Sequence, residues 1–496
     1  MLEKEIKNNQ NKKFIITILV LAGIRVFVFN AAFPIFNNVD EKAHLDTVYK
    51  YSGGRIPAKG IENYDSEILE LIILYGTPEY LSYTPLSKKT VPPWRYDDIK
   101  ESQKFQDFLD AARSSINHET GSFPVYYLYA GQCWNLGKLI GLNEGNLIYF
   151  LRFLNIPVFI AMVWIAYLAG KILFPNNNLQ QKGLPIMVAF FPQDVFYSIS
   201  NDTISPLLFS LSFFMLMKIL FEEKSLTFYF FTAAVVAVTF LNKITNITML
   251  ALLGPVIILK FRQIITERKL KENILRLLVL FGVSIIPLCL WMIRNHIVLG
   301  DITGDAAKVD FLGWKTRPFS QIWHHPIFSF SGSAFFLGEL TKTFWRGEFV
   351  WHLKRISSNF FDLLYVISTG VFLLVSLVFL FRNKQKRECT ILGISFVLIV
   401  VSVMMLAVLS VRYDYGNCWY PSQESPYFTS GRLIVTALVP FLILYLDGLE
   451  KVLTLLKFRF NPLILVVIIV VAITFSEIAL SWKVFASPYN WFHLIY

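Results

Sequence analysis

The chain has 496 residues, of which 55% are hydrophobic and 16% are charged, and its net charge is +11. Soluble domains carry about a quarter charged residues, so this composition excludes a soluble globular enzyme. The apolar residues form long blocks, and the length of these blocks is close to the roughly 20 residues that a helix needs to cross a hydrocarbon core. The sequence therefore predicts an all-α polytopic membrane protein with about eleven transmembrane helices.

The apolar blocks give the predicted spans in chain order. The first block is too long for the apolar core of a signal peptide, and no small-residue cleavage site follows it, so we expect an uncleaved anchor. The predicted spans are residues 14–36, 147–170, 184–199, 204–221, 226–241, 246–261, 274–293, 360–381, 390–411, 433–449 and 462–482.

Charge predicts the orientation. Basic residues cluster before the first span and at residues 260–271 and 382–387, whereas residues 37–121 carry 14 acidic against 10 basic side chains. We expect the protein to lie in the plasma membrane. The positive-inside rule then places its N-terminus in the cytoplasm. Because orientation accounts for the basic surplus, the charge gives no argument for a nucleic-acid partner.

The same reasoning divides the chain into three regions. We expect a cytoplasmic tail at residues 1–13, a transmembrane domain at 14–482 and an extracytoplasmic tail at 483–496. Two extracytoplasmic loops, residues 37–121 and 295–359, are too long to be simple turns, and loops of that size usually carry function. The long first loop and its continuation are predicted to contain interfacial helices at residues 66–75 and 125–142.

A charged cluster follows the first span directly. Asp40, Glu41 and His44 lie within five residues, and on a short helix Asp40 and His44 share one face. Neighbouring carboxylates near a low-dielectric boundary acquire separated pKa values, which suits a general base. The alternative is a set of solvated residues with no shared role, since acidic side chains outside a span are common.

Further polar residues recur at the same predicted membrane level. Cations near lipid headgroups can hold a phosphate while a carboxylate does chemistry, although each cation alone also fits a snorkelling side chain. Asp40, Glu41, His44 and Asp202 are also candidate ligands for a divalent cation such as Mg²⁺ or Mn²⁺, but we expect no obligatory metal. The candidate substrate and phosphate-binding residues are His44, Asp202, Lys243, Arg294 and Arg432.

The order of these features resembles the GT-C superfamily of membrane glycosyltransferases, which includes protein O-mannosyltransferases and aminoarabinose transferases. It is also similar to domain-of-unknown-function family 2142. The Asp40-Glu41 pair, with His44 after it, carries the strongest likeness. Supporting positions are Arg25, Arg152, Pro192, Ser198, Asn201-Asp202, Leu241-Asn242-Lys243, Thr245, Pro287, Arg294-Asn295, Ser430-Gly431-Arg432 and Pro440.

The resemblance implies a GT-C-like enzyme that moves a sugar from a polyprenyl-phosphate carrier to an extracytoplasmic acceptor, usually with inversion. The acceptor is a glycan, a lipid or a protein. By the superfamily pattern Asp40 is the catalytic base, with Glu41 and Asp202 as supporting acids. The chain departs from the pattern at Lys42, which we expect to pair with Glu41 and to lower its pKa.

Other functions stay open at this stage. An O-antigen ligase or polymerase would use a large outer loop with basic and histidine side chains, as at Trp323-His324-His325. A transporter or flippase of lipid-linked sugars would place polar residues at the midplane, whereas here they favour the outer edge. One exception is Arg25, which lies well inside the first span and needs a partner that the sequence does not identify.

Overall fold

The computed structural model describes residues 2–80, 91–267, 270–382, 385–416, 426–458 and 461–494. Parts of the two predicted basic clusters, at residues 268–269 and 383–384, lie outside this range. The helices are α1 (Leu2–Ala32), α2 (Glu41–Ser52), α3 (Ser66–Tyr75), α4 (Gln103–Ala112), α5 (Pro124–Leu139), α6 (Glu144–Phe153), α7 (Asn155–Leu173), α8 (Asn178–Ala189), α9 (Asn201–Phe221), α10 (Leu226–Asn242), α11 (Leu250–Glu267), α12 (Leu270–Leu299), α13 (Ala306–Phe311), α14 (Phe319–Ile322), α15 (Phe330–Arg346), α16 (Asn359–Leu380), α17 (Lys386–Arg412), α18 (Leu438–Leu455) and α19 (Pro462–Phe485).

The predicted fold class is confirmed: the chain is an all-α polytopic membrane protein. Among the described residues, eight helical segments are long and apolar enough to span a membrane. They are Asn9–Ala32, Glu144–Leu173, Asn201–Phe221, Ile244–Ile265, Asn273–Leu299, Asn359–Leu380, Lys386–Arg412 and Pro462–Phe485.

The other three predicted spans are shorter, interrupted or more polar. Helix α10 is apolar but only 17 residues long. Predicted span 184–199 is not one helix, since α8 ends at Ala189. Pro192 follows, and a proline disfavours helical backbone in the residue before it. Predicted span 433–449 begins as two 3₁₀ turns, and its helix α18 carries Asp447, Glu450 and Lys451.

The outward faces of the spanning helices are apolar. Leu290 of α12, Leu374 of α16 and Phe475 of α19 are each more than half exposed. Exposed apolar surface on this scale would be a liability in water, but in a bilayer the surrounding lipid covers it. In the interior, α10 packs on α12, α7 packs on α8 and α9, and α16 packs on α18.

Residues 33–80 and 91–143 fold on one end of the bundle, and we call them the cap and this end the cap side. Its hydrophobic core is formed by α2, α3, α4 and α5 and is shared with α6, which begins the second spanning segment. The two segments that were predicted as interfacial helices are helical, as α3 and α5. Short antiparallel strands tie the loops: β1 (Glu62–Asn63) pairs with β2 (Ile116–Asn117), β3 (Lys315–Thr316) with β6 (Tyr413–Asp414), and β4 (Val350–Trp351) with β5 (Lys354–Arg355).

Arg25 has the partner that the sequence did not identify. Its Nη2 lies 2.6 Å from Oε2 of Glu477 in α19, and Tyr197 donates a 2.8 Å hydrogen bond to the other oxygen of Glu477. Both side chains of the ion pair are buried. The pair therefore joins the first and the last spanning helix across 452 positions of sequence.

Removing only one partner of this pair leaves a charge unpaired at membrane depth. We expect Arg25→Met to destabilise the folded protein by roughly 3–5 kcal/mol, and the double variant Arg25→Met/Glu477→Leu to recover most of that loss. The measurement is thermal unfolding of the detergent-purified protein by fluorescence-detected size exclusion. An Arg25→Met protein that melts with the wild type would contradict the assigned role.

Candidate functional site

Asp40 occupies the turn that starts α2. Its backbone is left-handed, with φ 64° and ψ 3°, and its carbonyl accepts a 2.9 Å hydrogen bond from the backbone N–H of His44. The carboxylate lies between two basic groups: Oδ1 is 3.1 Å from Nε2 of His118, and Oδ2 is 2.9 Å from Nη2 of Arg432. A non-glycine residue held in this conformation is strained, which is typical of functional sites.

The electrostatics of Asp40 follow from these contacts. Burial alone would raise the pKa of its carboxyl, but the His118 hydrogen bond and the charge of Arg432 together hold that pKa well below its usual range. The side chain nevertheless keeps 17% of its surface exposed. Asp40 is therefore an ionised carboxylate that solvent or a ligand can reach at neutral pH.

Arg432 connects three carboxylates from distant parts of the chain. Besides Asp40, its Nη1 lies 3.6 Å from Asp202 Oδ2, and its Nε lies 3.6 Å from Glu348 Oε2. Burial would lower the pKa of Arg432, but the three negative charges raise it, so the guanidinium stays charged. Its position is fixed by Gly431, where a Cβ atom would collide with the backbone of Phe344.

Asp202 and Lys243 form the next part of the site. The Ser200 hydroxyl caps α9 by accepting a 3.1 Å hydrogen bond from the backbone N–H of Asp202, which places that carboxylate at the helix start. Lys243 follows α10 directly, and its Nζ pairs with Asp202 Oδ1. The structure therefore brings together four residues that the sequence placed at four separate hairpins: Asp40, Asp202, Lys243 and Arg432.

Sequence reasoning missed the remaining members of this group. His118 and Glu119 lie in the cap after β2, Lys308 of α13 pairs with Glu119, and Glu348 accepts a 2.8 Å hydrogen bond from the Ser430 hydroxyl. No local motif marks them, because their partners in the site lie far away in the sequence. We call the whole set the central network: Asp40, His118, Glu119, Asp202, Lys243, Lys308, Glu348 and Arg432.

Glu41 lies outside the central network, and the expected Lys42 pairing is wrong. The partner is Arg152, whose Nε and Nη2 lie 2.7 and 2.6 Å from the two carboxylate oxygens. The backbone N–H groups of Phe36 and Ile199 donate to the same oxygens at 2.9 and 3.0 Å. Both oxygens are thus committed to contacts that join the cap to the bundle.

His44 is also enclosed. Its Nδ1 lies 2.7 Å from the Tyr127 hydroxyl and its Nε2 lies 3.3 Å from the Ser200 hydroxyl, and the residue is only 2% exposed. Burial lowers its pKa to about 4, so the imidazole is neutral at physiological pH. A predicted phosphate-binding role is not supported by this geometry, since the ring carries no charge and both nitrogens have partners.

Arg294 is the predicted cation that the fold places elsewhere. It lies over the Trp291 ring at 5.0 Å and donates hydrogen bonds to the Pro57 carbonyl at 2.5 Å and to the Asn295 side chain at 3.1 Å. Within the described parts of the chain no ion pair joins it to the central network. Its contacts attach α12 to the cap.

One subset of the central network has metal-ligand chemistry. Ligand atoms of Asp40, His118 and Glu119 lie within 4.8 Å of one another. This set shares only Asp40 with the divalent-cation ligands that the sequence suggested. Arg432 and Lys308 already neutralise its two carboxylates, so side-chain cations provide the charge that a metal ion would supply.

The fold and the site together define a multi-pass membrane protein with a buried network of charges at one end of its helix bundle. Residues 21–416 match the family described as "Predicted membrane protein (DUF2142)", and the chain belongs to that family. The matched region contains every member of the central network except Arg432. The chain matches no curated protein.

The neutral, buried state of His44 predicts a pH-dependent stability. The folded pKa of about 4 lies below the ordinary value of 6.5, so the unfolded chain binds the proton more tightly. The stabilisation is complete above pH 6.5 and is lost as the pH falls towards 4, and it amounts to about 3 kcal/mol. The melting temperature should therefore fall less steeply between pH 7.5 and 4.5 for His44→Gln than for the wild type. Parallel curves of melting temperature against pH would contradict this assignment.

Proposed function

We propose that the protein is a glycosyltransferase that moves a sugar from a polyprenyl-phosphate carrier to an acceptor hydroxyl on a glycan, lipid or protein, with inversion at the sugar carbon. One observation carries the proposal. An ionised, reachable carboxylate, Asp40, lies within 3.1 Å of His118 and 2.9 Å of Arg432, at the end of a membrane bundle. This is the arrangement that a base beside a phosphate site requires.

The proposed reaction is a single displacement at the anomeric carbon of the sugar. The acceptor oxygen attacks the anomeric carbon and gives its proton to the Asp40 carboxylate. The bond between that carbon and the phosphate oxygen breaks, and its electron pair leaves on the phosphate. Arg432 and Lys243 stabilise the phosphate charge that develops, since guanidinium and ammonium groups bind phosphate oxygens strongly.

Donor binding also activates the base. Arg432 lowers the pKa of Asp40 in the free protein, and a weakly basic carboxylate is a poor proton acceptor. A donor phosphate that shares the Arg432 guanidinium reduces its pull on Asp40, so the pKa of Asp40 rises when the sugar is in place. Proton transfer is thereby linked to the presence of the donor.

Glu41 and His44 have a different part in this proposal from the one expected. Glu41, bound to Arg152, positions the start of α2 and hence the adjoining Asp40. His44 fixes the same helix through Tyr127. We therefore assign both as positioning residues, with the proton transfer at Asp40.

The proposal includes an orientation in the plasma membrane. Lys12, Lys13 and Arg387 lie at the end of the bundle opposite the cap, which by the positive-inside rule is the cytoplasmic end. The cap and the central network then face the extracytoplasmic side. A polyprenyl carrier reaches that side through the bilayer, and its hydrophilic acceptor reaches the site from outside.

Replacing Asp40 tests the base directly. Asp40→Asn keeps the shape of the side chain but removes the proton acceptor, so we expect sugar transfer to fall by about 10²- to 10⁴-fold. The assay uses nanodisc-embedded protein, a panel of radiolabelled polyprenyl-phosphate sugars and extracted envelope material, and it measures released polyprenyl phosphate.

Asp447→Asn is the matched control, because Asp447 is a buried carboxylate of α18 that lies away from the cap and accepts a 2.8 Å hydrogen bond from the Ser376 hydroxyl. It should keep full transfer. A fully active Asp40→Asn protein would show that Asp40 is not the base. If the wild-type protein moves labelled lipid between leaflets but releases no polyprenyl phosphate, the protein is a transporter.

Replacing Arg432 tests the phosphate side. Arg432→Gln should raise KM for the lipid donor by at least about tenfold, because a charge-assisted contact to phosphate is lost. It should also move the acidic limb of the pH–rate profile to higher pH, since Asp40 loses a cation that lowers its pKa. Unchanged donor dependence, with an unchanged acidic limb, would show that Arg432 only supports the fold.

A further inference from the structure

A cleft with several charged side chains in its lining lies next to the central network. It encloses about 410 Å³, including its open mouth, between the end of α1, the 3₁₀ turn Asp194–Tyr197, the end of α15, and helices α16 and α19. The proposed sugar transfer uses none of its side chains. Its polar lining comes mainly from Asp194, Tyr197, Arg346, Tyr365, Glu477 and Ser481.

Asp194 differs from the other charged groups of this cleft. Glu477 is neutralised by Arg25, and Arg346 is neutralised by Asp362 at 2.9 Å. Asp194 accepts one hydrogen bond, from the backbone N–H of Glu348 to Oδ2 at 2.9 Å. Among the described residues no Lys, Arg or His forms an ion pair with it.

The second oxygen of Asp194 is left for a ligand. Within the described chain Oδ1 accepts no hydrogen bond, although the residue is only 7% exposed and lines the cleft. Burial raises the pKa of Asp194 to about 7 against the opposing effects of the Glu348 hydrogen bond and of the Arg432 and Arg346 charges, so these cations compensate the carboxylate only in part. Gly347 has φ 79°, and a Cβ atom there would collide with the carboxylate, so the backbone is shaped to hold Asp194 in this place.

The chemistry of the cleft selects a cation with N–H donors. A hydroxyl would satisfy the free oxygen but would place no cation in contact with the ionised carboxylate, whereas an ammonium group supplies both an N–H donor and a positive charge. The aromatic rings of Tyr197, Tyr365 and Phe349 also line the cleft, and rings of this kind attract cations. We propose that the Asp194 cleft binds a primary ammonium group, carried either by a lipid headgroup or by a small free amine.

The surroundings of the cleft give a lipid access to it. Helix α19 packs chiefly on α8, and it meets α16 through a 2.8 Å hydrogen bond between Tyr365 and Ser476. On the outer side, Phe360 of α16 and Trp482 of α19 are each about two-thirds exposed. A tryptophan at this level is typical of the interface between headgroups and acyl chains, where an ammonium headgroup lies.

Native mass spectrometry of the full chain, released from nanodiscs that contain equal amounts of phosphatidylethanolamine, phosphatidylcholine and phosphatidylglycerol, tests the proposal. Phosphatidylcholine has a quaternary ammonium without N–H donors, and phosphatidylglycerol has no cation. We expect retained phosphatidylethanolamine to exceed each of the others by about tenfold in the wild type and in Asp447→Asn, and Asp194→Asn to lose this preference.

A second arm separates the two sources of the ammonium group. Ethanolamine that raises the melting temperature of the wild type but not of Asp194→Asn, with no lipid preference, would identify a free amine as the ligand. Should Asp194→Asn fail to fold, Ser481→Phe, which fills the cleft, must abolish the same signal. Equal retention of all three lipids together with no ethanolamine effect would overturn the proposal, and it would leave the proposed sugar transfer unaffected because neither arm measures transfer.

Discussion

The ion pairs of Arg432 are the constraint on which the rest of the site depends. Asp40, Asp202 and Glu348 come from the cap, from α9 and from the segment after α15, and each carboxylate is largely buried. Burying a charge costs several kcal/mol unless a partner compensates it, so one guanidinium among three carboxylates holds three distant segments together. Arg432 alone leaves the three carboxylates with an excess of negative charge, which Lys243 reduces by pairing with Asp202, while Lys308 pairs with Glu119. A donor phosphate that contacts Arg432 therefore has to share the guanidinium with these carboxylates.

Other buried ion pairs extend this principle through the bundle. Arg152 joins α6 to Glu41 in the cap, and Arg346 joins α15 to Asp362 at the start of α16. In a bilayer the apolar faces of helices gain little from leaving lipid for one another, so polar contacts of this kind specify which helices become neighbours. Contacts of α2 also hold the neighbouring Asp40 in position. The helix that follows it is fixed by Glu41 on one side and by His44 on the other.

The sequence predicted the architecture more completely than the site. Apolar blocks of about 20 residues identify spans because a bilayer leaves few other solutions, and positions beside spans placed Asp40, Asp202, Lys243 and Arg432 together. The pairing of Glu41 with Arg152, and the positions of His118 and Glu348, depend on contacts between residues more than 75 positions apart. No local period encodes such contacts. Residues 184–199 are mostly apolar and therefore predict one span, whereas Pro192 and the polar residues Gln193 and Asp194 after it end the helix.

The anomeric configuration of the transferred sugar tests the central claim most directly. A single displacement with Asp40 as the base requires the acceptor to attack from the face opposite the phosphate. Nuclear magnetic resonance of the product, formed from a polyprenyl-phosphate sugar of known configuration, should therefore show complete inversion. A product that retains the donor configuration would contradict the account, since retention needs a covalent intermediate and a nucleophile in place of a base.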